Sequence, residues 1–178
     1  MNQYKEILLI GGSGAIGSYT AAELARLGYH VDVITLENLS SSAQITYLTA
    51  PANDEMLLQV FRQKKYDAIV DFLHYNPKNY STRLKLLAEH TDHLIFLSSY
   101  RVYADEEHPI RETSPQLWDI TEDKTHFEET NSYSAFKSQC EQLIRQSPYV
   151  NKVTIVRPLI AFYHGRLSFI TKIGRAHV

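Results

Sequence analysis

A lone cysteine, Cys140, in 178 residues leaves no second thiol for an internal disulfide and no pair of thiolates around which to build a zinc site. That scarcity fits a reducing, cytoplasmic setting. Excess positive charge is also missing: 18 Lys and Arg against 20 Asp and Glu give a net charge of -2, so the composition offers no basic field to nucleic acid or to an anionic membrane. Neither is an expected partner. The opening MNQYKEILLIGG holds an apolar run too short for a secretory signal or a membrane span, and it reads instead as a first strand that meets glycines at once. With 44% hydrophobic and 21% charged residues, what remains is the composition of one globular domain, without internal repeats or low-complexity tracts.

What is present is a rhythm. Runs rich in Ile, Val and Leu recur at Glu6 to Ile10, Val31 to Thr35, Ile45 to Leu48, Asp67 to Phe72, His93 to Ser98 and Lys152 to Arg157. Most are nearly continuous, the pattern of strands buried on both faces of a parallel sheet. Helical patterns separate them at Ala15 to Leu27, Asp54 to Lys64, Asn79 to His90 and Tyr133 to Gln146. Alternation of this kind predicts an α/β fold, doubly wound and mainly parallel. The segment from Asp105 to Asn131 breaks it, with nine acidic residues, two basic ones and no clear strand, and reads as a binding loop or lid, or else a solvated acidic excursion.

The first strand runs into GGSGAIGS, Gly11 to Ser18, which carries both G-x-G-x-x-G and G-x-x-G-x-x-G spacings. Glycines there permit a tight turn, close approach of a pyrophosphate and tight packing of the following helix, whose N-terminal N–H groups favour negative charge. Gly11, Gly12, Ser13, Gly14, Ala15, Ile16 and Gly17 are therefore the predicted dinucleotide cradle. The second strand ends at Thr35, and Glu37 just beyond it is the candidate acceptor for the adenosine ribose. No Arg or Lys stands between Val31 and Arg62, which favours NAD and leaves NADP as the open alternative.

Two more segments bear on chemistry. In a parallel sheet ligands lie beyond the carboxyl ends of the strands, where Ser98 and Ser99 of FLSSYRVYAD emerge from the fifth strand. In NSYSAFKSQCE, Tyr133 and Lys137 stand four residues apart, about one helical turn, and should share a face. A phenol titrates near pH 10, so acid/base work near neutrality asks for a shift of roughly three units, about 4 kcal/mol, in the direction a neighbouring ammonium supplies.

Taken together, the glycine turn Gly11 to Gly17, SSYRVY, YSAFK and the VRP of Val156 to Pro158 resemble the extended and atypical short-chain dehydrogenases/reductases, specifically the NAD-dependent epimerase/dehydratase family. The resemblance runs to about Lys172. It implies a Rossmann-type domain in which Ser99 matches the catalytic serine or threonine, Tyr133 the acid/base, and Lys137 the residue that binds the nicotinamide ribose and depresses the tyrosine pKa. It further implies NAD(P), a small-molecule substrate of the nucleotide-sugar type, and pairing of two copies through outer helices. Departures stand beside it. DFLHYNP, Asp71 to Pro77, replaces a small-residue H-x-A-A segment, and LTAPAND offers no clean counterpart to the acidic residue usual after the third strand. An atypical, non-catalytic nucleotide-sensing or RNA-associated module is the alternative that such departures allow. His74, Cys140 and Trp118 read first as packing groups. Residues 1–172 are expected to form one nucleotide-binding domain whose substrate domain is missing. Ile173 to Val178, IGRAHV, match one frame of a DNA-sequencing adapter and are expected to be a non-native tail.

Overall fold

Apolar continuity in the strand sequences turns directly into burial. Glu6–Ile10 (β1) and His30–Thr35 (β2) bury every residue but the first. Ile45–Thr49 (β3), Tyr66–Asp71 (β4), Thr91–Leu97 (β5) and Val153–Val156 (β6) complete one six-stranded sheet in the order β3-β2-β1-β4-β5-β6, with every pairing parallel. This is the doubly wound order, whose direction reverses between β1 and β4 and so leaves a crevice at their carboxyl ends. The edge strands β3 and β6 are the two without a fully buried residue, as edges should be. The computed structural model describes residues 5–159, so the tail expected at 173–178 and the stretch leading to it lie outside the described residues.

Helices Ala15–Arg26 (α1), Asp54–Gln63 (α2), Pro77–Glu89 (α3) and Ser132–Gln146 (α6) cover the sheet, and two short ones, Leu117–Ile120 (α4) and Lys124–Thr130 (α5), lie within the acidic segment. Their starts are legible: the Asn53 side chain caps α2 by accepting from Met56 N at 2.9 Å, and Asn76 caps α3 ahead of Pro77 by accepting from Lys78 N at 3.0 Å. Alternate strand residues serve opposite faces. Leu8, Ile10, Ile69, Leu94 and Phe96 pack with Leu57, Tyr80, Leu87 and Ile144, while Ile7, Leu9, Val31 and Val33 pack with Ala21 of α1. Each such side chain contributes about 1.5–3 kcal/mol when removed from water.

The acidic segment carries no strand, only an isolated antiparallel bridge between Tyr103 and Gln116. Trp118 anchors it, its ring 6.2 Å from that of Phe127 and under the Lys124 ammonium at 4.9 Å. Among the described residues no helix is long and apolar enough to cross a membrane, and no cluster of His, Cys, Asp and Glu could hold a metal ion.

The inner face of α6 carries two charges, Lys137 and Glu141, both buried. Glu141 receives the Arg157 guanidinium in two-pronged fashion, Nε to Oε1 at 2.8 Å and Nη2 to Oε2 at 2.7 Å, and also bonds Gln116 and Arg145. Arg157 in turn donates to the Tyr103 hydroxyl, so one buried cluster joins the exit of β6, α6 and the start of the acidic segment. Burial pushes the Glu141 carboxyl up, but the bonds from Arg157 and Gln116 bring it net below the usual carboxylate range. Its stabilising contribution is therefore complete above the ordinary carboxylate pKa and is lost as pH falls through the lowered folded value. Glu141→Gln, which leaves Arg157 without its counter-charge, is expected to cost about 3 kcal/mol in urea unfolding at neutral pH, and less below pH ~4.

Candidate active site

The glycine turn departs from β1 with Gly11 at φ +75, a left-handed conformation that favours glycine, and Gly11 N donates to Ile34 O at 2.9 Å. At Gly17 the constraint is space: a Cβ there would lie 2.4 Å from Gly12 O, so the helix could not pack on its own entry turn. Gly14 differs, since a Cβ would meet nothing within 4 Å. It is the N-cap of α1 and provides no side-chain cap, leaving the first-turn N–H groups facing an open approach. Thr35 Oγ1 donates to Ser13 Oγ at 2.8 Å and accepts from Glu37 N at 3.1 Å, tying the turn to the end of β2.

Gly11, Ser13, Thr35 and Glu37 line one cleft of about 390 Å³, whose remaining walls include Leu36, Ala50, Pro51, Ala52 and Leu73. Gly12 and Gly17 lie in the packed interior of the turn, while Ala15 and Ile16 form the first turn of α1; none of these four, nor Gly14, lines the cleft wall itself. No Lys or Arg is among the wall residues. A bare backbone turn, an open helix N-terminus and a neighbouring carboxylate fit the pyrophosphate and ribose of a dinucleotide.

Lys137 is 3% exposed and its Nζ donates to Leu73 O at 2.9 Å and Leu97 O at 2.6 Å, carbonyls at the carboxyl ends of β4 and β5. Burial lowers its pKa, opposed by the negative charges of Asp71 and Glu141. Two of its three hydrogens are thereby used. Ser99 is 6% exposed just past β5, where its hydroxyl caps the turn Tyr100–Val102 by accepting from Arg101 N at 3.3 Å. Tyr133, 38% exposed, opens toward solvent from the first turn of α6. Its ring lies against the His74 ring, centroids 5.2 Å apart and 18° from parallel, and the Arg101 guanidinium sits 5.3 Å from its centroid. Among the described residues no hydrogen bond joins Tyr133 to Lys137: the phenol, expected from the spacing to share a face with the ammonium, is part-exposed, while the ammonium turns inward to the strand ends. Cys140 is buried on the same helix, its thiol pushed up to about 12 by burial, which makes it an inert packing group.

Asp71, which closes β4, escaped the sequence reading as a site residue. It is fully buried; Oδ1 accepts from Leu73 N at 3.1 Å and from the Tyr75 hydroxyl at 3.0 Å, and Oδ2 has no hydrogen-bond partner among the described residues. Burial pushes its carboxyl up to about 6, against the opposing bonds from Leu73 and Tyr75 and the charges of Lys137 and Arg83. An acidic residue at the end of an apolar run was the available signal. Arg101 over the Tyr133 ring had none.

With this geometry in hand, comparison with known proteins is decisive at the level of family. The model of the NAD dependent epimerase/dehydratase family matches residues 7–162. The chain belongs to that family. UDP-glucose 4-epimerase of Bacillus subtilis (strain 168) is 29% identical over 170 aligned residues, taking in 78% of this chain and 47% of that protein. The Haemophilus influenzae UDP-glucose 4-epimerase is 28% identical over 172 residues, with 79% and 48% covered. The chain thus spans about half the length of the curated relatives it matches. Among solved structures, UDP-glucose 4-epimerase from Bifidobacterium longum in complex with NAD+ and UDP superposes with a TM-score of 0.65 at 24% identity, covering 86% of this chain and 52% of that one. Epimerase Mth375 of Methanothermobacter thermautotrophicus gives 0.66 at 19%, covering 87% and 51%. These two likenesses are of fold.

The segment Asp71 to Pro77, read from the sequence as a departure from the resembled pattern, includes three residues that each find a packed place. Asp71 goes into the core, Leu73 packs its side chain against Gly11, and His74 stacks on Tyr133 and Phe136.

Gly17→Ala is expected to cost about 1–3 kcal/mol in urea unfolding through the clash with Gly12. Gly14→Ala should fold within about 1 kcal/mol of the parent yet lose dinucleotide affinity, as calorimetry would report. For Asp71, carbon-detected NMR should find a carboxyl midpoint near 6, where an ordinary Asp gives ~4. Because that folded value lies above the unfolded one, Asp71 favours the fold most below pH ~4, and the advantage is lost as pH rises through 6.

Proposed function

We propose that this chain is the nucleotide-binding part of an NAD-dependent oxidoreductase of epimerase/dehydratase type that acts on a nucleotide-linked sugar in the cytoplasm. The observation that supports the reading is the burial of the Lys137 ammonium against the carbonyls of Leu73 and Leu97, with Ser99 just past β5 and with Leu73 also lining the cleft of the glycine turn. Bound NAD would supply the hydride acceptor. The chain's own residues supply the rest. Gly11 to Gly17 with Ala15 and Ile16 at the helix start bind the pyrophosphate, and Thr35 and Glu37 take the adenosine ribose. Lys137, held by Leu73 and Leu97, offers its third hydrogen to the nicotinamide ribose and places a positive charge one turn from Tyr133. The Tyr133 hydroxyl removes the proton from a sugar hydroxyl, and the Ser99 hydroxyl bonds the same sugar oxygen and fixes its distance from the ring. A wall free of Lys and Arg favours NAD over NADP.

The full-length protein, mixed with NAD and a panel of nucleotide sugars, should form NADH or an epimerised product, and Tyr133→Phe should lower that turnover at least ~100-fold while leaving NAD affinity within about threefold. Undiminished turnover in Tyr133→Phe would remove the proton-transfer role. Dinucleotide binding with no turnover across the panel would favour a nucleotide-sensing module instead.

A further inference from the structure

Two buried carboxylates bear on the Lys137 ammonium, and they are engaged differently. Glu141 is taken up by cations: Arg157 grips both its oxygens, at 2.8 and 2.7 Å, and Arg145 bonds Oε2 at 2.9 Å. Asp71 has no cationic hydrogen-bond partner among the described residues: its Oδ1 takes the Leu73 amide and the Tyr75 hydroxyl, and its Oδ2 takes nothing. The Arg83 guanidinium, whose charge also reaches Asp71 from α3, is itself held by Asp54 at 3.0 Å and by Ala52 O at 2.9 Å. The other titratable groups facing these two side chains add no charge. Burial pushes Tyr75, Tyr80 and Cys140 up, and burial with the Lys137 charge pushes His74 down, so all four are neutral just above neutrality.

We propose that Asp71 is a positioning residue for Lys137, the carboxylate whose charge keeps that ammonium protonated at the carbonyls of Leu73 and Leu97. Burial works against the charged form of each group, lowering Lys137 and raising Asp71 to about 6, so each charge is sustained in good part by the other. The two act on each other through charge alone, since no salt bridge or hydrogen bond joins them among the described residues. Such coupling is reciprocal: removing either charge moves the other group's midpoint by the same amount. Loss of the Asp71 charge lowers the Lys137 midpoint, and loss of the Lys137 charge raises that of Asp71. The bonding at Asp71 lets its charge be removed alone. Both hydrogen bonds fall on Oδ1, so an amide nitrogen in place of Oδ2 leaves the Leu73 peptide held. The consequence for turnover rests on the proton-transfer reading above, because a Lys137 that loses its proton no longer favours the Tyr133 phenolate.

The test is side-chain NMR of Lys137, titrated upward from neutrality. Asp71→Asn should lower the Lys137 midpoint by about one pH unit, and in Lys137→Met carbon-detected titration should find the Asp71 midpoint raised by a similar step. In the full-length protein, Asp71→Asn should also bring the alkaline limb of kcat down with the Lys137 midpoint. An unmoved Lys137 midpoint in folded Asp71→Asn would overturn the proposal. Should that variant not fold, an unmoved Asp71 midpoint in Lys137→Met would overturn it equally. Midpoints that move as stated, with no turnover of any nucleotide sugar by the full-length parent, would remove the proton-transfer reading and leave the coupling of Asp71 to Lys137 in place.

Discussion

A buried ammonium organises this molecule. Lys137 reaches from the inner face of α6 to the carbonyls of Leu73 and Leu97, which lie on adjacent strand exits. Isolating such a charge from water costs several kcal/mol unless oxygen atoms replace the lost hydration. Here two carbonyls do so, with the charges of Asp71 and Glu141 nearby. The helix is held to the mouth of the sheet by that requirement, and Tyr133 lies one turn earlier on it.

Glu141 plays the complementary role one turn further on. Its carboxylate gathers Arg157, Gln116 and Arg145, so that α6 is fixed by a cation at the strand mouth and by an anion at the exit of β6. A helix whose buried face bears one charge of each sign can settle in one register only, because a shift by a residue would strand both. Apolar packing through Cys140 and Ile144 then fills the space between.

The sheet was legible because burial on two faces leaves its mark in continuous Ile, Val and Leu: β1 matches its expected bounds, and the other strands differ from theirs by a residue or two. The turn at Gly11 to Gly17 was legible because its demands are local, a positive φ and a close helix approach. What stayed hidden depends on partners far apart in the chain. Glu141 and Arg157 are 16 residues apart, and Lys137 and Leu73 are 64 apart. The acidic segment concealed α4 and α5 because helices this short take their support from α6 rather than from their own periodicity.

Leu73 touches every part of this arrangement. Its side chain packs against Gly11, its amide is held by Asp71, and its carbonyl receives Lys137. One peptide thus serves as a rigid strut between the glycine turn and the buried Lys137, so the two cannot drift independently. Under the proposed reading, in which a nucleotide meets one half and a sugar the other, a single shared brace makes the tolerance of one half the tolerance of the other.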